Sequence, residues 1–248
     1  MSARSLFRPT AGRPALVHDG YRAWLIGAVL AVLAHLFWVG GYITWFLGAL
    51  CHEMGHAFAA LATGCPAFPA IRLDGHAVTM LNDQIVPLAL LMLAGTAWWC
   101  WNAREDRTLL VLRGLLLVPL LIALLSKNAR DMLILYAGQG GELAFAGVFL
   151  WRAYTGGFTR SEGERPLYAM LGWVFVFENA MLAGGLMFSA GARAEYLGNG
   201  SFGLENDLVR IASHHLGTGL PGAALPLLLA AIAAPLGAWM LGRLARDD

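Results

Sequence analysis

The sequence predicts an all-α polytopic membrane protein with about seven (six or seven) transmembrane helices. The chain has 248 residues, of which 58% are hydrophobic and 13% are charged, whereas soluble domains carry about 25% charged residues. The mean hydropathy is +0.60, and several apolar runs approach the ~20 residues that a helix needs to cross a bilayer. We therefore expect a multi-pass protein of a bacterial inner membrane, with a single membrane domain over residues 23–243.

The charge balance and the cysteines exclude two other classes. The net charge of +1 gives nucleic-acid binding no electrostatic support. Three cysteines without paired spacing predict neither a disulfide framework nor a cysteine metal site. They are Cys51, Cys65 and Cys100.

The N-terminal part begins with a basic tail of residues 1–22. Its four arginines favour a cytoplasmic N-terminus. The first predicted span covers residues 24–39, Gly40 and Gly41 mark a break, and the second span covers residues 42–62.

A loop and five further spans follow. The stretch "AIRLDGHAVTM" in the loop mixes apolar and polar residues around Asp-Gly, which predicts a small β-hairpin at the membrane surface. A polar segment at residues 189–219, partly helical over 204–215, precedes the last span. The five spans are predicted at residues 85–101, 108–125, 132–151, 167–188 and 220–241.

Counting spans places three connecting segments on one side of the membrane. If the chain crosses seven times, the second, fourth and sixth spans all end on the face where the N-terminus lies. The segments at residues 64–84, 126–130 and 189–219 then share that face.

The second span contains an H-E-x-x-H motif formed by His52, Glu53 and His56. Two histidines four residues apart lie on one face of a helix, where their imidazoles can bind one Zn²⁺. Glu53 can act as a general base toward a zinc-activated water. Gly55 has no side chain, so another segment or a substrate backbone can approach this face of the helix closely. Ionisable residues are rare in membrane spans, so three within five positions favour a metal site over a chance match.

A third protein ligand is needed, and the residues alone leave four candidates open. The two histidines lie about 10–16 Å along the helix from its end at residue 62, so the third ligand must reach a similar depth from the same side. The candidates for this ligand, or for a group that supports the ligands, are Asp207, Asp131, Glu142 and Glu178 with its neighbour Asn179.

The motif "HEMGHAFAALATG" resembles the motif helix of the site-2 protease superfamily of intramembrane zinc metallopeptidases, peptidase family M-fifty, and within it the B-like branch. Three further stretches are similar to that branch: "GHAVT" at residues 75–79, "ENAML" around Asn179, and "NDLVRIASHHLGTGLP" at residues 206–221. The resemblance covers about residues 48–242. It implies that His52 and His56 are zinc ligands and that Glu53 is the general base.

In that superfamily the third ligand is an aspartate with an N-x-x-P and L-D-G context, a pattern that this chain lacks at a later span. Asp207 is the best substitute, because the sequence match and the sidedness count agree on it, and Asp131 ranks next.

The resulting expectation is a zinc-dependent intramembrane metalloprotease that hydrolyses peptide bonds of membrane-embedded or membrane-adjacent substrates. Its expected partners are a membrane protein or peptide substrate and the lipid bilayer, and the surface hairpin would guide an extended substrate by strand addition. One alternative is a non-proteolytic membrane metalloprotein that aids assembly of membrane complexes. The other is an ion-conducting or transport bundle that uses Glu142, Glu178 and Asp131.

Overall fold

A computed structural model describes residues 17–71, 77–198 and 205–247. The described part of the chain is mostly helical and contains one two-stranded sheet. This composition agrees with the predicted helical class and with the predicted hairpin.

The first two helices are joined by a sharp bend. Helix α1 comprises Val17–Leu36 and helix α2 comprises Trp38–Ala62, and their axes differ by 109°. The predicted break at Gly40 is therefore wrong, because the helices separate at Phe37 and Gly40 lies inside α2. A Cβ at Gly40 would overlap the carbonyl oxygen of Ala34, so the glycine allows the two helices to cross closely.

The beginning of α1 also shortens the predicted tail. Residues 17–22, which we expected in the tail, form the first turns of α1. The remainder of the tail, residues 1–16, lies outside the described residues.

The predicted hairpin is present. Strand β1, Ala67–Ile71, pairs antiparallel with strand β2, Ala77–Leu81, and Pro69 lies opposite Thr79. Proline has no N–H to donate, so it suits a two-stranded sheet in which each strand has an edge. Residues 72–76, which connect the two strands, lie outside the described residues.

Four helices follow the hairpin: α3 (Val86–Trp101), α4 (Arg107–Leu125), α5 (Lys127–Thr155) and α6 (Glu164–Phe188). Helix α5 begins five residues before the predicted span at 132–151, so most of the connecting segment that we expected at residues 126–130 is helical. The Ser126 hydroxyl accepts a hydrogen bond from the backbone N–H of Ala129 at 3.3 Å, which satisfies a donor at the start of α5.

The last part of the chain contains short helices and one long helix. Helix α7 is Ala190–Gly198, helix α8 is Asp207–Arg210, and a π-helical turn covers Ile211–Leu216. Gly217, with φ +60°, ends this turn in the left-handed region that glycine adopts without strain. Helix α9 is Leu220–Asp247.

Within the described residues, three helices are long and apolar enough to cross a membrane, namely α5, α6 and α9. The bent pair of α1 and α2 gives a fourth span if it is counted as one, and α3 and α4 are shorter apolar helices. The chain thus has the apolar helices of a membrane protein, and the total of seven spans stays a prediction.

The described residues form two compact units. The first contains residues 17–48, 142–193 and 224–247. Its helices approach closely at glycines: a Cβ at Gly27 would overlap Ala169, and a Cβ at Gly172 would lie 2.7 Å from Cγ of Leu150. The Trp24 indole N–H donates to the carbonyl of Leu150 at 2.8 Å.

The second unit contains residues 49–71, 77–141, 194–198 and 205–223. Hydrogen bonds connect the three segments that we expected on one membrane face. Arg130 Nη1 donates to Gln84 Oε1 at 2.6 Å, and His215 Nδ1 lies 2.6 Å from Asn128 Oδ1. These bonds link residues before α3, at the start of α5 and before α9, so the three segments meet in the structure. Their place on one membrane face stays a prediction.

Candidate metal centre

The centre is built on the second half of α2. His52 and His56 are one turn apart, and their ring centroids are 4.7 Å from each other. Because residues four apart share a face of a helix, both Nε2 atoms point to the same place. The side chain of His52 is 19% exposed and that of His56 is 9% exposed.

Asp207, the first residue of α8, completes the group. Its Oδ2 atom lies 3.1 Å from Nε2 of His52 and 3.1 Å from Nε2 of His56. The three ligand atoms lie within 4.8 Å of one another, and no other group of three such side chains does so in the described part of the chain. Asn206 supports this segment, because its side-chain amide donates to the Tyr196 carbonyl at 2.8 Å.

Two of the three distances between the ligand atoms suit a zinc ion. A tetrahedral zinc with bonds of about 2.0–2.1 Å places neighbouring ligand atoms about 3.3 Å apart. The observed nitrogen-to-oxygen distances of 3.1 Å are close to that value.

The hydrogen bonding of His56 strengthens this fit. Its Nδ1 lies 2.6 Å from the carbonyl oxygen of Ile134. A carbonyl can only accept, so Nδ1 carries the proton and Nε2 of the neutral ring is an acceptor. Two acceptors, Nε2 and a carboxylate oxygen, then face each other, and a cation or a proton must lie between them. A histidine whose second nitrogen donates to a backbone carbonyl is also the usual arrangement of a metal ligand.

The charge state of Asp207 agrees with a ligand role. Burial opposes ionisation of this carboxyl, but its contacts with the imidazoles of His52 and His56 outweigh burial and hold its pKa well below the usual range. Burial, and then the charge of Asp207, raise the pKa of the nearby Tyr196 phenol. Near neutral pH the carboxylate is therefore charged and the phenol is protonated.

Glycines on α5 make room for the imidazoles. A Cβ at Gly138 would lie 2.5 Å from His52 Nε2 and 2.7 Å from His56 Cε1, so only a residue without a side chain leaves both rings in place. A Cβ at Gly141 would lie 2.6 Å from the Cys51 carbonyl oxygen, and one at Gly55 would overlap the Ala137 carbonyl oxygen. The approach that we expected beside Gly55 is therefore made by the backbone of α5.

Glu53 is buried at 7% exposure and is held by the hairpin. The hydroxyl of Thr79, on β2, lies 2.5 Å from Oε2 of Glu53 and 3.1 Å from the Glu53 backbone oxygen. The Glu53 carboxylate is thus held by a side chain from β2.

The other candidates for the third ligand lie elsewhere. Asp131 is near the start of α5, with Oδ1 3.9 Å from Nε of the adjacent Arg130. Glu142 accepts a hydrogen bond from the Asn179 amide at 2.6 Å, and Glu178 lies 3.1 Å from His35 Nε2. None of these side chains belongs to the group formed with Asp207.

Glu142, Glu178, Asn179 and His35 all belong to the first unit. Asn179 is 1% exposed, and its Oδ1 has no hydrogen-bond partner in the described structure. These side chains form a separate polar cluster between α1, α5 and α6.

Sequence reasoning missed the roles of Gly138 and Thr79. Gly138 has no chemical signature, because a glycine shows its role only when the atoms that surround it are known. Thr79 lies in the "GHAVT" stretch that supported the family resemblance, so a signal was present, although it did not indicate contact with Glu53.

Comparison of the chain with family models, with curated proteins and with solved structures gave no match.

Proposed function

We propose that this protein is a zinc-dependent intramembrane metallopeptidase that hydrolyses peptide bonds of membrane-embedded or membrane-adjacent substrates. The main support is the grouping of His52, His56 and Asp207, with ligand atoms within 4.8 Å, beside a buried glutamate on the same helix. This combination supplies three protein ligands and a proton acceptor, which is the arrangement of catalytic zinc sites that retain an open position.

Each residue has a defined part in the proposed reaction. His52, His56 and Asp207 would hold the metal. When bound, zinc would polarise the scissile carbonyl and acidify the attacking water. Glu53 would accept the proton of that water and deliver it to the leaving amine.

The hairpin supports binding of an extended substrate. Strands β1 and β2 pair only with each other within the described structure, so each strand keeps one edge. A substrate strand can add to such an edge through backbone hydrogen bonds. On β2 the added strand would run past Thr79, whose hydroxyl contacts Glu53, so its peptide bonds would pass near the proton acceptor.

The apolar helices support the proposed location. Helices α5, α6 and α9 are each long enough to span a bilayer, and we propose that the protein is a multi-pass protein of a bacterial inner membrane. A membrane location is consistent with a substrate that is itself embedded in, or adjacent to, the bilayer.

Metal content provides the first test. The protein purified in detergent should retain about one zinc per chain, and the double variant His52→Ala with His56→Ala should retain none. Zinc can be quantified by atomic emission. Zinc binding that survives loss of both imidazoles would overturn the proposed centre.

Replacement of Glu53 provides the second test. Glu53→Gln keeps the size of the side chain and removes its basicity, so zinc content should stay while cleavage is lost. The wild type and Glu53→Gln are each incubated with a detergent extract of host membranes. The new N-termini of cleaved membrane proteins are identified by mass spectrometry. If the variant and the wild type yield the same set of new termini, the protein is a non-proteolytic metalloprotein.

A further inference from the structure

The hairpin contributes a side chain to the neighbourhood of the metal centre. Thr79 Oγ1 lies 2.5 Å from Oε2 of Glu53 and 3.1 Å from the Glu53 backbone oxygen. A threonine hydroxyl has a single proton, and the shorter distance assigns that proton to the carboxylate. A separation of about 2.5–2.7 Å is typical of a hydroxyl that donates to a charged carboxylate.

The hairpin is fixed to the end of α2, so Thr79 is held in place. The backbone N–H of Ile85 donates to the Gly64 carbonyl at 2.8 Å, and the Gln84 side-chain amide donates to the Thr63 carbonyl at 2.9 Å. The backbone N–H of Asn82 donates to the Pro66 carbonyl at 3.0 Å. These bonds join the two ends of the hairpin segment to each other and to the end of α2.

A glutamate side chain has three rotatable bonds, and an untethered carboxylate would populate several rotamers. Proton transfer requires the carboxylate within hydrogen-bond reach of the reacting water. A hydrogen bond from a fixed strand to one carboxylate oxygen restricts those rotamers and leaves the other oxygen for proton transfer.

We propose that Thr79 is a positioning residue for Glu53, so that the hairpin is part of the catalytic apparatus as well as a surface for substrate. This inference rests on the proposed function. It differs from a purely structural tether, in which the hydroxyl would serve only to hold the hairpin against α2.

The kinetic test compares Thr79→Val with Thr79→Ser. Valine keeps the shape of threonine and removes the hydroxyl, whereas serine keeps the hydroxyl. We expect Thr79→Val to lower kcat about 10- to 100-fold, the effect of losing one hydrogen bond to a charged group. KM and zinc content should not change, and Thr79→Ser should restore most of kcat. The substrate is a membrane protein identified from the new termini described above.

Two further variants separate positioning from general damage. Thr96→Val is a matched control, because the Thr96 hydroxyl donates only to the Met92 carbonyl of its own helix, at 2.8 Å, and kcat should stay normal. In the Glu53→Gln background, Thr79→Val should cause no further loss of the residual rate. A full additional loss in that background, or failure of serine to restore kcat, would overturn the positioning role.

A second measurement does not depend on peptidase activity. Amide hydrogen exchange of residues 77–81 is compared in the zinc-loaded wild type, Thr79→Val, Glu53→Met and the double variant. If Thr79 and Glu53 hold each other, Thr79→Val or Glu53→Met alone should accelerate exchange of residues 77–81. The double variant should then exchange little faster than either single variant. Additive effects would show that the two side chains act independently and would overturn the inference.

The two measurements also separate this inference from the proposed function. A wild-type protein that yields no new termini would overturn the peptidase assignment. Non-additive exchange in the same protein would still support the contact between Thr79 and the Glu53 carboxylate, and the kinetic test separates positioning from a structural tether.

Discussion

Gly138 is the residue on which the geometry of the imidazole pair depends most directly. A methyl group at this position would lie 2.5 Å from His52 Nε2, which is far inside van der Waals contact. We expect Gly138→Ala to rotate at least one imidazole away from Asp207. Overpacking of this kind costs about 1–3 kcal/mol, so zinc affinity should fall roughly 5- to 150-fold, as measured by competition with a zinc-binding dye.

Gly140→Ala is the matched control for Gly138→Ala. Gly140 lies on the same helix, and a Cβ there would meet no atom within 4 Å in the described structure. Both substitutions raise helix propensity equally, so a difference between them reports only the space around the imidazoles. Equal zinc affinity of the two variants would contradict the role given to Gly138.

Asp207 is tested against Asp131, which ranked next as third ligand. We expect Asp207→Ala to lower zinc affinity by at least about 100-fold, because it removes one of the three proposed protein ligands. Asp131→Ala should leave the affinity unchanged, because this side chain faces Arg130. The two affinities are measured under identical conditions by dye competition. If Asp131→Ala weakens zinc binding and Asp207→Ala does not, the ligand assignment is wrong.

At the scale of residues, the motif could be predicted and its surroundings could not. The grouping of His52 and His56 on one face follows from the H-E-x-x-H spacing on a helix, and Asp207 was chosen from the count of spans together with the family resemblance. The partner of Thr79 lies 26 residues away, and Gly138 acts through absence of a side chain. Neither the contact of Thr79 with Glu53 nor the space beside Gly138 produces a periodic pattern, so neither can be predicted from a single sequence.

Among the elements, the C-terminal end of helix α5 is held by a buried arginine of α6. The Arg165 side chain is 1% exposed, and its guanidinium donates to the carbonyls of Ala153 and Tyr154, both at 2.9 Å. These carbonyls belong to the last turn of α5, the part of a helix whose carbonyls need partners from outside the regular pattern of helix hydrogen bonds. Gly156, with φ +71°, then turns the chain out of the helix.

Replacement of Arg165 by lysine should destabilise this helix end. Lysine has a single ammonium and cannot reproduce the planar fork that serves both carbonyls. We expect a loss of about 2 kcal/mol, visible as a lower Tm in detergent. Arg160→Lys, at an exposed position, should leave Tm unchanged, and a similar decrease in both variants would contradict the capping role.

The elements themselves were predicted better than their ends. All predicted spans correspond to helices, since long apolar runs have few alternatives. The bend at Phe37 was predicted three residues too late, because Gly40 resembles a helix breaker but serves close packing against Ala34. The start of α5 was predicted five residues too late, because charged residues after Ser126 resembled a loop although they are helical.

Taken over the whole molecule, metal binding should contribute to stability. A ligand that binds only the folded state stabilises it by about 2.7 kcal/mol when present at 100 times its Kd. The proposed ligands come from distant positions, since His52 and Asp207 are 155 residues apart, so the unfolded chain has no preformed site. We expect a chelator to lower Tm of the wild type and zinc to restore it, as measured by differential scanning fluorimetry in detergent.

The double variant His52→Ala with His56→Ala provides the reference for this experiment. It retains Asp207 but lacks both imidazoles, so its Tm should respond to neither chelator nor zinc. A zinc-dependent Tm in this variant would show that the stabilising metal binds elsewhere.

Because His52 and Asp207 are 155 residues apart, a measurable interval separates their synthesis on the ribosome. At about 5–20 residues per second, the ribosome needs roughly 8–30 s to add Asp207 after His52. During this interval the nascent chain presents two imidazoles and no carboxylate partner from α8. Metal loading is therefore expected as a late step of biogenesis, after α5 has supplied Gly138. A ribosome-stalled chain that ends before residue 207 should accordingly exchange zinc much faster than the finished protein.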